Sequence, residues 1–574
     1  MTTMTSSSSP AYLGFDLSSQ SLKCLAVTSG LKAIHEEAVN FDADLPQYNV
    51  QSGVHRNEAE NEVYAPVAMW IEALDLILTR MKDGGFDFSR VRGLSGAGQQ
   101  HGSVYWSNQA ERILSSLDSQ KCLVDQLSPE AFTHEWSPNW QDHSTQKQCE
   151  QFESAAGGAD ALARITGSRA HHRFTGPQIL RFHQLRPGVY EKTERISLVS
   201  SFLCSVFLGR IAPLDISDVC GMNLWDIQKD DWSTPLLAQA AEGDKGGVEA
   251  LKKKLGEVEM VHGKRLGSIS SYFKERFGFD PDCAVYPFTG DNPSTILALP
   301  LRPLDAIVSL GTSTTLLMAT PTYHPSVEYH LFNHPTTPGL YMFMLCYCNG
   351  ALARNSIRDS VNKSSSSSSD PESWDVFNDA AFSGAPSPSS LPPTAQLGYY
   401  FPLPENIPNV QSGTWRFTYT LSSGDLSESS EKWNIPHDDP RAILDSQALS
   451  MRMRSAPLLA TNNGQPRRLY MVGGGSKNPA ITSAMADVLG GIEGVYKLDI
   501  GGNACALGAA YYATWAAERK EKEGFEDFVA ERWDEKNRVE KMGEGYRQGV
   551  WEWYGKVLEG FREAEGKVIE TAHN

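Results

Sequence analysis

The chain has 574 residues, of which 40% are hydrophobic, 21% charged and 10% aromatic, a globular composition too long for one ordinary core and predicting roughly two to four domains. Its formal net charge of −18, with no Lys/Arg stripe interleaved with aromatics, excludes a general basic field and argues against nucleic acid or an anionic membrane as partner. A polyanion such as a nucleotide would have to be held locally, by backbone N–H groups, helix ends and a metal ion.

In chain order, MTTMTSSSSP (1–10) is polar, lacks the apolar centre of a secretory signal and is expected to be disordered; no later run reaches membrane-spanning length. Order begins at Ala11, where AYLGFDLSSQSLKCLAVT reads as a hairpin with its tip at Ser18–Gln20. Residues 64–83 carry apolar side chains at helical spacing, VRGLSGAGQQHGSVYW reads as strand, glycine-rich turn and strand, and 144–210 is largely helical, an alternation that indicates α/β architecture. FTGDNPST (288–295) places an acid and an amide in a turn after the apolar AVYPF. AIVSLGTSTTLLMAT (306–320) is a second hairpin whose turn, LGTSTT, resembles the earlier DLSSQS, which suggests two related halves. KSSSSSSD (363–370) and APSPSSLPPT (385–394) are low-complexity insertions. LYMVGGGSKNPAITSAMADVLG reads as strand, loop and helix with Pro479 in the first helical turn, and beyond Ala506 the pattern is helical to the end. Nine cysteines with no CxxC pair or zinc-like spacing indicate reduced, mostly buried thiols and a cytosolic setting.

Five stretches carry candidate chemistry. Asp16, leaving a strand where Ser18, Ser19, Ser21 and Lys23 follow, has the makings of a Mg²⁺ and phosphate turn, although an Asp bonded to its own turn is the commoner outcome. LGTSTT lets backbone approach an anion and adds hydroxyl donors, against the plain alternative of a Thr-rich hairpin. GGGSKN (473–478) offers bare backbone at a helix N-terminus and fits neither GxGxxG nor the P-loop pattern. Gln99, Gln100 and His101 in GAGQQHG, and Arg169, His171, His172 and Arg173 in TGSRAHHRFTG, are donors and acceptors suited to sugar hydroxyls or simply ordinary loop residues.

Taken together, DLSSQSLK, LSGAGQQHGSVYW, TGSRAHHRFTG, SLVSSFLCSVFLG, DVCGMNLWDI, FTGDNPST, SLGTSTT and GGGSKN occur in an order that resembles the FGGY carbohydrate kinases over about residues 11–515. The resemblance implies two ribonuclease-H-like, actin-like α/β domains flanking a catalytic cleft: an N-terminal domain over 11–300 for the sugar, a C-terminal domain over 301–530 for ATP, with an insertion at 363–394, then a helical extension over 531–574. It implies ATP-dependent phosphorylation of a ketose, with wording that leans toward D-xylulose over ribulose, glycerol or gluconate, and a small-molecule enzyme acting as monomer or homodimer. An actin-like regulator that has lost catalysis is the alternative of a different class, disfavoured by the retained Asp16, Asp291 and LGTSTT. By position, Asp291 resembles the family's catalytic base, Asn292, His101 and Arg169 its sugar contacts, and Asp16 its metal-associated aspartate. Ser18, Gly311 and Thr312 match the phosphate turns, and Trp374, Gly474, Gly475 and Asn478 the adenosine site.

Overall fold

The computed structural model describes residues 9–243, 245–365, 370–428, 431, 433–498, 501–543 and 546–572. Of residues 1–10, expected to be disordered, 1–8 lie outside the described residues, as does the middle of the serine tract, 366–369.

Two seven-stranded mixed sheets form the two lobes. In the first, strands Ala11–Leu17, Ser21–Thr28 and Ala33–Asn40 make an antiparallel meander, and Val91–Gly98 then runs parallel to Ala11–Leu17 on its other side. The second repeats the plan. Ala306–Leu310 and Thr314–Thr320 pair antiparallel and extend to Tyr341–Tyr347, while Leu469–Val472 and Val495–Leu498 add in parallel on the far side of Ala306–Leu310. Both hairpins expected from the sequence are present, because alternating apolar residues around a short polar turn are enough to fix a local antiparallel pair.

The strand, turn and strand expected over 91–106 are present, and the second strand, Ser103–Trp106, pairs with Arg195–Leu198, because the turn at 99–101 swings the chain out of the sheet, with His101 at φ +76°. The charged tail, expected to be helical, is not wholly so: Val539–Gly543 pairs antiparallel with Val495–Leu498 at the edge of the second sheet, and helix Val550–Ala572 follows. A charged edge strand lacks the apolar alternation by which strands are read, and charge there protects the open edge from further pairing.

Helix Ala504–Glu518 belongs to the second half of the chain yet packs against the first sheet. It is buried from Ala506 to Trp515, as its uniformly apolar sequence requires. The approach is close: a Cβ on Gly14 would stand 1.9 Å from the Ala506 carbonyl oxygen, and one on Gly508 would stand 1.9 Å from that of Ser294. Polar contacts fix both ends of the helix. The Glu518 carboxylate accepts from Tyr12 (2.6 Å) and Ser29 (2.5 Å), and Lys23 Nζ donates to the Gly502 carbonyl at 3.0 Å. A single apolar cluster accordingly includes Tyr12 and Leu25 from the first sheet with Ile307, Tyr470 and Tyr511 from the second half.

Gly508→Ala should lower the thermal unfolding midpoint. Alanine is the better helix former by about 1 kcal/mol, so propensity alone predicts the opposite; an overpacking cost of about 1–3 kcal/mol has to outweigh it. An unchanged or raised midpoint would show that the helix can shift freely on the sheet.

Candidate active site

The ends of the first-lobe strands carry two carboxylates into one place. Asp16 lies near the end of Ala11–Leu17, in register with Ala97 on the neighbouring strand, and is 4% exposed with Oδ1 lacking a hydrogen-bond partner. Burial, reinforced by the charge of Asp291 and opposed by Lys23, pushes its carboxyl up to about 7. Asp291 begins helix Asp291–Ile296 directly after the short strand Thr289–Gly290, which pairs with Ala97 and Gly98. Its Oδ1 accepts from the Asn292 backbone N–H (2.8 Å) and from Asn292 Nδ2 (3.0 Å), and burial outweighs these bonds to push it up to about 6. Two poorly solvated carboxylates, the charge of one raising the proton affinity of the other, form a site that favours a cation or a hydroxyl proton.

The turn after Val91–Gly98 makes the next wall. His101 stacks on Phe174 with ring centres 4.4 Å apart, and its Nδ1 lies 2.9 Å from the Gly221 carbonyl. That carbonyl can only accept, so Nδ1 carries the hydrogen and Nε2 is left as an acceptor. Burial, with the charge of Arg173, holds the ring well below the usual histidine range and hence neutral. Gln99 Oε1 accepts from Asn139 Nδ2 at 2.5 Å and Ser19 Oγ at 3.2 Å, while Gln99 Nε2 is buried without a partner. Trp140, 47% exposed, is tethered through Nε1 to Ser19 Oγ at 2.7 Å, an aromatic face at the edge of the serine turn. Asn292 Nδ2 also donates to Gln100 Oε1 at 3.0 Å. Asp291, Asn292 and the turn bearing His101 are thus joined around one point, where neutral donors and acceptors outnumber charges, as hydroxyl recognition requires.

The two arginines of TGSRAHHR part company. Arg169 is 37% exposed in its side chain and ion-paired with Glu153 at 3.2 Å. Arg173 turns inward, 5.6 Å from the centre of the Phe174 ring, with Nη2 3.2 Å from His330 Nε2. Among the described residues no carboxylate pairs with it. The family resemblance picks out Arg169 of the two; in the structure His330 arrives from the second sheet beside Arg173, and Phe174 links Arg173 to His101.

In the second lobe the turn at Gly311–Thr312 joins Ala306–Leu310 to Thr314–Thr320, and the Ala351 N–H donates to the carbonyls of Gly311 (3.2 Å) and Thr312 (3.0 Å). The start of helix Ala351–Ser364 is thereby seated against the turn. The corresponding first-lobe turn is closed by Ser18 Oγ donating to the Ser21 carbonyl at 2.9 Å. In the glycine turn Gly473 has φ +85°, a Cβ on Gly475 would meet Leu310 Cβ at 2.8 Å, and Gly474 meets nothing within 4 Å. Gly475 is needed for close approach to the strand, and Gly474 leaves backbone open to a ligand. Asn478 Oδ1 caps helix Pro479–Leu489, accepting from Ala480 N (2.9 Å) and Ile481 N (3.1 Å). Trp374 packs against the Arg358 guanidinium and Phe377, each 5.1 Å from its ring. Arg354, which the sequence did not single out, is 1% exposed; Nη1 donates to Gln447 Oε1 at 2.7 Å, Nε and Nη2 lack partners, and Nη2 is 3.6 Å from where a Cβ on Gly475 would stand. It sets a positive charge beside the glycine turn of an acidic protein.

No group of three or more His, Cys, Asp or Glu side chains suited to a metal ion occurs among the described residues. A divalent ion here would therefore rely on one or two carboxylates together with phosphate oxygens and water, the mode Mg²⁺ adopts in phosphoryl-transfer sites.

Models of the FGGY family of carbohydrate kinases match the chain twice, the N-terminal domain over 138–298 and the C-terminal domain over 306–517. The chain is 56% identical over 569 residues to a probable D-xylulose kinase A of Aspergillus fumigatus, covering 98% of this chain and 99% of that one. Among solved structures it resembles the xylulose kinase of Rhodospirillum rubrum (TM-score 0.74, 16% identity, 98% and 100% of the two chains) and the gluconate kinase of Lactobacillus acidophilus (TM-score 0.73, 15% identity, 99% of each). The two structures match almost equally well, so they speak for the two-domain fold and not for a sugar.

Proposed function

The chain belongs to the FGGY family of carbohydrate kinases, and from that premise we propose that it transfers the γ-phosphoryl group of ATP to D-xylulose, giving D-xylulose 5-phosphate. The observation that carries the choice of sugar is the 56% identity to a probable D-xylulose kinase A over 98% of this chain and 99% of the relative.

In this reading Asp291 is the general base. Its Oδ1 is engaged by Asn292, which leaves Oδ2 to take the proton of the attacking sugar hydroxyl as the bond to phosphorus forms. Asn292, His101 through Nε2, and Arg173 bind the other hydroxyls; Arg173 takes the place that residue order alone gave to Arg169, whose guanidinium Glu153 already engages. The turns at Ser18 and Gly311–Thr312 receive the phosphates, and Gly474, Gly475, Asn478 and Trp374 the adenosine. Asp16, with its open Oδ1 beside a second carboxylate, suits Mg²⁺, which when bound neutralises developing phosphate charge. The free thiols of all nine cysteines favour a reducing, cytosolic setting; among the described residues no helix is long and apolar enough to cross a membrane.

The decisive experiment is a coupled ADP-release assay across pentuloses, hexuloses and polyols, with and without Mg²⁺. D-Xylulose is expected to give the highest kcat/KM, with ADP appearing only when sugar is present. Preference for ribulose, glycerol or gluconate would displace the sugar assignment, and sugar-independent ADP release would displace the kinase reading of the site.

A further inference from the structure

Asp218, in the buried turn Asp218–Met222, is 2% exposed. Ser200 Oγ lies 2.5 Å from its Oδ2, and its Oδ1 has no partner. Across a narrow gap Gln100 Nε2 is likewise buried and unpartnered. Gly290 flanks both: a Cβ there would stand 2.6 Å from Asp218 Oδ1 and 2.8 Å from Gln100 Nε2. The other end of the Gln100 amide faces the site, where Oε1 accepts from Asn292 Nδ2 at 3.0 Å, and Asn292 in turn holds Asp291 Oδ1.

A carboxamide has one donor end and one acceptor end. Turned over, Gln100 would set its NH₂ against that of Asn292, donor to donor, and Asn292 would lose the bond that steadies it beside Asp291. Something must therefore reward the observed orientation, and the acceptor facing Nε2 is Asp218 Oδ1. We propose that Asp218 is a positioning residue for the phosphoryl-transfer step: steadied by Ser200, it orients the Gln100 amide, which orients Asn292, which fixes the carboxylate of Asp291 with Oδ2 toward the sugar hydroxyl. Burial, with the charges of Asp215 and Asp291, pushes the Asp218 carboxyl up to about 8. A proton on Oδ2, shared with Ser200, leaves Oδ1 an acceptor whether or not that proton is present. An asparagine at 218 reproduces this pattern, with its NH₂ toward Ser200 and its oxygen toward Gln100; alanine does not.

The inference rests on the assignment of Asp291 as base, and the two are separable by experiment. Asp218→Ala is expected to lower kcat about 10- to 100-fold, the scale of a small misplacement of a reacting group, with the KM values for D-xylulose and ATP within about threefold of the parent. Asp218→Asn is expected to return kcat to within about threefold. If Asp218→Ala fails to fold, Ser200→Ala, which leaves the carboxylate in place, carries the test through a smaller loss in kcat at unchanged KM. Asp218→Asn as impaired as Asp218→Ala, or a loss confined to the KM for the sugar, would overturn the positioning role. Asp291→Asn assayed alongside distinguishes the two failures: if it is inactive while Asp218→Ala is normal, only the role of Asp218 is lost, and if it is active, the base assignment itself falls.

Discussion

The Asp291→Asn enzyme is expected to turn over about 10²- to 10⁴-fold more slowly than the parent, the range of a general-base contribution, while its affinity for sugar stays nearly the same. Asparagine keeps the size, the helix-start position and one oxygen to accept from Asn292; what it loses is the oxygen that binds a proton. The parent should also show an acid limb. Because burial raises the Asp291 carboxyl to about 6, the free enzyme holds it protonated, and inactive as a base, below that pH and ionised above it, so kcat/KM rises as pH increases through this region. The residual activity of Asp291→Asn should lack that limb. Activity within tenfold of the parent, or an acid limb surviving the substitution, would place the proton acceptor elsewhere.

Arg173→Met is expected to raise the KM for sugar about 30- to 150-fold, corresponding to the roughly 2–3 kcal/mol of a charged hydrogen bond lost from a desolvated site. Arg169→Met should change KM no more than about threefold. The contrast follows from surroundings: one guanidinium is part-exposed and spent on Glu153, while the other rests between Phe174 and His330. Methionine preserves much of the aliphatic stem, so lost packing contributes little to the difference. Steady-state kinetics with both variants decides it, and a large KM effect at Arg169 with none at Arg173 would restore the assignment made from residue order.

What could be read from the chain was whatever is local. The two hairpins around Ser18–Gln20 and Gly311–Thr312 follow from alternation about a polar turn, and the FGGY resemblance rested on short motifs in order; the family models and the two-lobed fold agree with it. What escaped depends on partners distant in sequence. Arg173 is set apart from Arg169 by its contact with a histidine on a strand of the other lobe. Asp218 stood in plain view within DVCGMN, but its importance lies in facing Gln100 across a glycine, which no spacing rule encodes. Arg354 sits on an ordinary amphipathic helix and is set apart only by the absence of partners for two of its nitrogens. Strand Val539–Gly543 was hidden by its charges.

Helix Ala504–Glu518 makes the order of residues a poor guide to where the molecule divides. The lobe that begins the chain is roofed by a segment synthesised near its end, so a ribosome must deliver almost the whole polypeptide before that lobe has its full complement of apolar cover. The midpoint near residue 300 separates two sheets but not two self-sufficient proteins, and the halves, however alike in plan, are interdependent by construction.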